Sequence, residues 1–213
     1  IDREFRRDNA TVDPMGREEL VRLMQVMSLC SEVEIIGTGA DLELDGSATE
    51  KALVQLALDS GIDVVALRSE HPRLRTRYRA EGRPYMSTLH PYTEGKHLLA
   101  VKDGKRVRLS KQMREAIIEE NERMAGNALR VLGAAYREMD GDQMPDKTEK
   151  LTWLGLAGMA DPMRTGMDKL IAQFHRAGIG TIMITGDQAA TAEAIGEQLG
   201  LSGDKPLKVL ESS

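Results

Sequence analysis

Two short clusters carry side chains suited to handling a phosphate. In Ile182-Met183-Ile184-Thr185-Gly186-Asp187 an apolar run of strand character ends in Thr-Gly-Asp, and a helix signal starts at Ala189. Ligands of open α/β sheets collect at the carboxyl ends of strands. The Thr185 hydroxyl and the Gly186 amide can donate to phosphate oxygens there, and the N-terminus of the following helix favours an anion. The second cluster, Asp161-Pro162-Met163-Arg164, also ends an apolar run. Pro162 fixes the exit from that run, so Asp161 and Arg164 are expected at the same sheet edge as Thr185 and Asp187. Each cluster also fits a plainer role. Asp187 can simply open the turn into its helix, and Pro162 is at home in the first turn of one. No spacing suits a bound metal, since the four histidines are scattered and Cys30, the single cysteine, falls on a helical stretch.

The elements that must hold these clusters read as strand, helix, strand, helix. Leu151–Met159 is the first strand, a helix runs from about Thr165 to Ala177, Thr181–Ile184 is the second strand, and a helix follows from Ala189 to Leu199. Gly178 and Gly200 stop the helices, and the alternation predicts a βαβα unit of a parallel sheet. The chain before it has another character. Leu20, Leu23, Met24, Met27 and Cys30 recur at helical spacing over Arg17–Ser31, with the two methionines expected as core filler. A Gly- and Asp-rich turn region follows, and then a helix over Ala48–Asp59 with Ser47 or Thr49 as its cap. Tyr85–Leu89, His97–Val101 and Arg106–Leu109, separated by Gly-containing turns, predict an antiparallel meander. Ser110 caps a long charged helix to about Asn127, and Leu129–Tyr136 is a strand. The polar stretch 140–150 is expected as a linker between domains at 1–139 and 151–213.

Composition narrows the classes. Of 213 residues, 41% are hydrophobic and 30% charged, enough to form a core. Aromatics at 3% argue against a base-stacking RNA module. A net charge of −5 gives no general pull toward nucleic acid or anionic lipid. The alternating Arg73, Arg75, Arg77, Arg79 and Arg83 therefore read as a solvated face rather than a phosphate-binding patch. The run Trp153–Ala160 is far shorter than the ~20 apolar residues a membrane helix needs. A lone cysteine allows no internal disulfide.

The two phosphate-handling clusters, written GMADPMR (Gly158–Arg164) and TGDQAATAEAIG (Thr185–Gly196), closely resemble the phosphorylation domain of P-type ATPases. The preceding chain is similar, in the same order, to that family's nucleotide-binding domain. Ser28-Leu29-Cys30 resembles its LC helix, Gly46–Leu53 its GDPTExAL segment, and Arg83–Ser87 its RKxMS strand. Val101-Lys102 resembles the start of VKGA, and Ala128–Leu132 the LRVL strand. The resemblance implies an antiparallel sheet with flanking helices, followed by a partial Rossmann-like (HAD-like) βαβα segment. It implies that ATP or ADP binds, ATP with Mg2+. Glu50 would meet the adenine amino edge, Lys102 would lie deep in the adenosine pocket, Met86 would sit beside it on its strand, and Arg130 would reach the phosphates. Thr185, Gly186, Asp187, Asp161 and Arg164 would support phosphoryl transfer.

Departures matter as well. The family's adenine-stacking Phe corresponds to Arg79, with Tyr78 beside it, and either side chain has a flat face for the base. Its Gly after the pocket Lys is Asp103 here. Ser69-Glu70-His71-Pro72 matches the SEHP box of heavy-metal pumps, but TExAL and VKGA belong to the calcium/magnesium-pump-like branch. Asp146-Lys147-Thr148-Glu149 begins like the phosphorylated DKTGT motif, lacks its Gly-Thr, and reads as linker. The resemblance therefore implies the cytoplasmic domain of an integral membrane ion pump, inactive alone because the phosphorylated Asp is missing. Its partners would be the remaining phosphorylation, actuator and membrane domains. A free-standing nucleotide-binding regulatory module, a heavy-metal pump fragment and a haloacid-dehalogenase-type phosphatase are the alternatives.

Overall fold

The computed structural model describes residues 4–7, 10–37, 39–93, 95–102, 110–146, 148–160, 164, 166–186, 189–203 and 205–210. The chain forms two compact units, one of residues 1–108 with 132–157 and one of 109–131 with 158–213. The chain passes between them at 108–109, at 131–132 in the eighth strand and at 157–158 in the ninth.

In the first unit, β1 (Arg6–Arg7) and β2 (Ala10–Thr11) make a small antiparallel ladder in a stretch with no sequence signal. Helix α1 (Glu18–Leu29) follows, with Glu18 and Glu19 in its first turn, where the helix dipole favours acids. The Gly-rich region, expected only as turns, also holds the antiparallel strands β3 (Glu34–Ile36) and β4 (Glu43–Asp45). Helix α2 (Ala48–Asp59) is capped by Ser47, whose hydroxyl accepts from the Glu50 N–H. The short α3 (Val64–Glu70), missed in the sequence, is capped by Asp63 accepting from Ala66 N–H at 2.9 Å.

The main sheet has the order β5 (Arg75–Arg77), β6 (Met86–Pro91), β7 (Lys96–Lys102), β8 (Leu129–Asp140) and β9 (Thr152–Ala160). The pairs β5–β6, β6–β7 and β7–β8 are antiparallel. Both faces of its centre are covered, and side chains alternate between them. Leu98 joins Met24, Leu29, Val33, Val54, Ala57, Val64 and Leu67 under the helices. Leu89, Leu99 and Val101 meet Tyr85, Met139, Met144 and Leu151 on the other face. The β6–β7 hairpin of the expected meander is formed, but the other neighbour of β7 is β8; the methionine core is formed, with Met24 and Met27 both buried. The third predicted strand of the meander, Arg106–Leu109, lies outside the described residues.

The segment 140–150 does not behave as a free linker. Met144 packs on the sheet, and Arg77 donates to the carbonyls of Pro145 and Asp146. Arg75 reaches Asp142 O, Arg137 reaches Glu149 O, and Thr148 donates to the Tyr85 hydroxyl. Thr148 and Asp146 therefore belong to a tied-down crossing from β8 to β9.

The second unit contains α4 (Lys111–Ala125), capped by the Ser110 hydroxyl as expected, with α5 (Met167–Arg176) and α6 (Ala189–Gln198). Thr191 on α6 donates to Leu129 O, and Gly196 packs closely under the Leu207 side chain. The predicted βαβα unit is not formed. Strand β9 joins the sheet beside β8 instead of starting a parallel one. Thr181–Ile184 is no strand, and Ile182 and Ile184 are 89% and 94% exposed. A parallel strand is stable only between hydrogen-bonded neighbours, and among the described residues nothing pairs with this one.

Candidate functional site

The helix-covered face of the sheet would be expected to be apolar throughout. At one end it is not. Register pairing sets Met86 opposite Lys102 and Thr88 opposite Ala100. Alternation then turns Lys102 toward the helices, where it is wholly buried. Its ammonium forms an ion pair with Oε1 of Glu50, from the first turn of α2. Glu50 stands three residues after the Ser47 cap, the place from which an acid usually folds back onto the cap. Here its carboxylate turns across to β7 and to the chain after α1 instead. Its Oε2 accepts from the Ser31 hydroxyl at 3.0 Å and from the Glu32 N–H at 2.6 Å.

Burial by itself would push the Glu50 carboxyl up. The Lys102 ammonium, the Glu32 N–H and the Ser31 hydroxyl outweigh it and hold the group below its ordinary range. Next to the pair, Cys30 is fully buried, with its Sγ 3.6 Å from Met86 O. Burial pushes its thiol up, against the opposing pull of Lys102. A chain of hydrogen bonds leads away from here. Thr88 donates to His90 Nε2 at 2.9 Å, and His90 Nδ1–H donates to His71 O at 2.8 Å. Burial lowers the His90 pKa to about 4, so the ring is neutral at neutral pH and the tautomer is set by His71 O.

The turn that presents Ser31 and Glu32 is itself pinned. Arg68 donates to Ser28 O at 2.9 Å and to Val33 O at 2.6 Å, and Arg73 donates to Ser31 O at 3.0 Å. With Arg75 and Arg77 on 140–150 and Arg83 on Tyr78 O, four of the five alternating arginines clamp backbone carbonyls. Arg73, Arg75 and Arg79 are exposed, as a solvated face requires, and what that reading lacked is the carbonyl contacts of Arg73, Arg75, Arg77 and Arg83. A guanidinium with several donors is well matched to carbonyls that turns leave unpaired.

The structure thus brings together Glu50, Lys102 and Met86. Lys102 is less open than a residue lining a pocket, since its whole surface is taken up by protein. Tyr78 is 54% exposed and Arg79 is exposed, in the connection from β5 to β6. Arg130 is an exposed residue of β8 in the second unit. Thr185, Gly186 and Arg164 are exposed, while Asp161, Asp187 and Asp103 lie outside the described residues. Glu70 is exposed and His71 ends α3 with its Nδ1–H on Pro91 O, so this SEHP segment serves the β6 end of the fold. Sequence reasoning missed Ser31, Arg68, Thr88 and His90, and it gave Arg73 no part in the site. Each acts through a partner 19 to 42 positions away or through strand alternation, and no local pattern marks them.

A family model described as P-type ATPase, cytoplasmic domain N, matches residues 19–166. The chain is 32% identical over 197 residues to a calcium-transporting ATPase of Listeria monocytogenes, covering 84% of this chain and 22% of that protein. It is 32% identical over 195 residues to a cation-transporting ATPase of Synechocystis, covering 83% and 21%. It is 28% identical over 218 residues to the sodium/potassium-transporting ATPase subunit alpha-A of Artemia franciscana, covering 87% and 22%.

Proposed function

The chain belongs to the P-type ATPases, through the cytoplasmic N domain of that family, and on that footing we propose that it is the ATP-binding part of a cation pump. The observation that carries this reading is the buried Glu50–Lys102 pair between α2 and β7. The Glu50 side chain, 12% exposed and held ionised by the buried Lys102 ammonium, keeps acceptor capacity for a base amino group such as that of adenine. Tyr78 or Arg79 would cover the face of the base, Met86 would pack beneath it, and Arg130 would meet the phosphates. Mg2+ would arrive with the nucleotide.

In the parent pump, Mg-ATP would phosphorylate an aspartate, and that step would be coupled to ion transport. Relatives with calcium transport in their names support the calcium/magnesium-pump-like branch. The chain beyond Ala160, with Asp161, Arg164, Thr185, Gly186 and Asp187, would belong to the phosphorylation domain. The other partners would be the actuator and membrane domains. This chain alone would bind nucleotide without hydrolysing it.

Titration with ATP, followed by backbone amide NMR, tests the reading. We expect shifts around Met86 and Lys102 with a Kd near 1 mM, about −4 kcal/mol. No shift there at several millimolar ATP would overturn it.

A further inference from the structure

Neither the family relationship nor the proposed nucleotide contacts assign anything to the turn between α1 and β3. That turn nonetheless supplies both donors to one oxygen of Glu50, the Ser31 hydroxyl and the Glu32 N–H. Ser31 is only 3% exposed, and its Oγ also accepts from the Val33 N–H at 3.2 Å, so the hydroxyl hydrogen has a single direction left to it. Its carbonyl is held by Arg73, and the residues on either side of it by Arg68, which reaches the carbonyls of Ser28 and Val33. A carboxylate on a flexible stem is thereby fixed at one oxygen, and the other oxygen is left for Lys102.

We infer that Ser31 is a positioning residue of the nucleotide site: presented by a turn that Arg68 and Arg73 pin, its hydroxyl holds the Glu50 carboxylate in the orientation that faces Lys102. This inference rests on the nucleotide-binding reading. Ser31 does not touch the ligand. It acts by keeping Glu50 ionised and aimed, the condition under which a carboxylate accepts from an amino group. The charged and titratable groups facing Glu50 are Lys102 from β7, Cys30 at the end of α1 and Arg68 from α3. Of the neutral donors in the set, Ser31 is the one whose side chain can be removed without touching the ion pair.

The test is Ser31→Ala in the whole chain, with the Glu50 side-chain carboxyl followed by 13C NMR across pH and ATP affinity measured alongside. A hydrogen bond to an ionised group contributes enough that its loss should raise the Glu50 midpoint by about one pH unit. ATP should bind roughly three- to tenfold more weakly at neutral pH, and the pH below which binding fails should rise with the midpoint. Ser31→Cys, which keeps the shape and weakens the donor, is read by the same criterion and decides the matter if the alanine variant does not fold. An unmoved midpoint in a folded variant, with wild-type protein still binding ATP, overturns this inference alone. Failure of the wild-type chain to bind ATP overturns the nucleotide reading and this inference with it.

Discussion

Replacing Lys102 with methionine separates a charge pair that matters from one that is incidental. Lys102 is wholly buried and the Glu50 side chain is 12% exposed, so water cannot take over the role of the ammonium. Removing one partner of a buried pair typically costs about 3–5 kcal/mol, because a charge is left uncompensated. Glu50 keeps the Ser31 and Glu32 donors, which sets the expectation at the lower end, about 3 kcal/mol at pH 7. Urea unfolding followed by the single tryptophan, Trp153 in the first unit, measures it. Without the ammonium, burial dominates and raises the Glu50 carboxyl above its unfolded value. The deficit of Lys102→Met should then be largest at pH 7 and shrink as pH falls and the native carboxyl takes a proton. Adding Glu50→Gln should recover most of the loss, since no charge remains buried. A loss for Lys102→Met below about 1 kcal/mol, or one independent of pH, would refute the reasoning, because it would give the pair the worth of a solvated surface bridge.

Further expectations concern groups around this pair. His90, with its pKa lowered by burial to about 4, binds fewer protons folded than unfolded between there and its ordinary 6.5. Stability should therefore fall on acidification through that window, by at most about 3 kcal/mol from this residue; His90→Gln should flatten the slope in pH-dependent urea melts, and an unchanged slope would count against it. At Gly133 a Cβ would come 2.6 Å from the ring of Trp153. Gly133→Ala should therefore cost about 1–3 kcal/mol and shift the tryptophan emission. Arg77→Ala removes the clamp on Pro145 and Asp146 and should expose 140–150 to limited proteolysis well before the sheet unfolds; equal cleavage rates would show the clamp to be idle.

Local pattern alone determined a good deal of this protein. Periodicity gave α1, α2 and α4, because an amphipathic stripe and a capping Ser47 or Ser110 act within a few residues. Alternation and Gly-bearing turns gave the β6–β7 pairing, and the ordered short motifs carried Glu50, Lys102 and the family. The apolar run 182–184 shows where pattern is insufficient: its residues have strand character, but a strand is defined by its neighbours, and the chain leaves these exposed. The arginines 73–83 carry no signal that tells a solvated face from clamps, since the difference lies in which distant carbonyls are unpaired. Tertiary structure alone decided that Lys102 would face the helices and be buried against Glu50, and that the turn after α1 would supply the second oxygen's donors. The physical reason is distance along the chain. Ser31 and Glu50 are 19 positions apart and Glu50 and Lys102 are 52 apart. Only the packing of α1 and α2 on one face of the sheet turns those separations into hydrogen bonds.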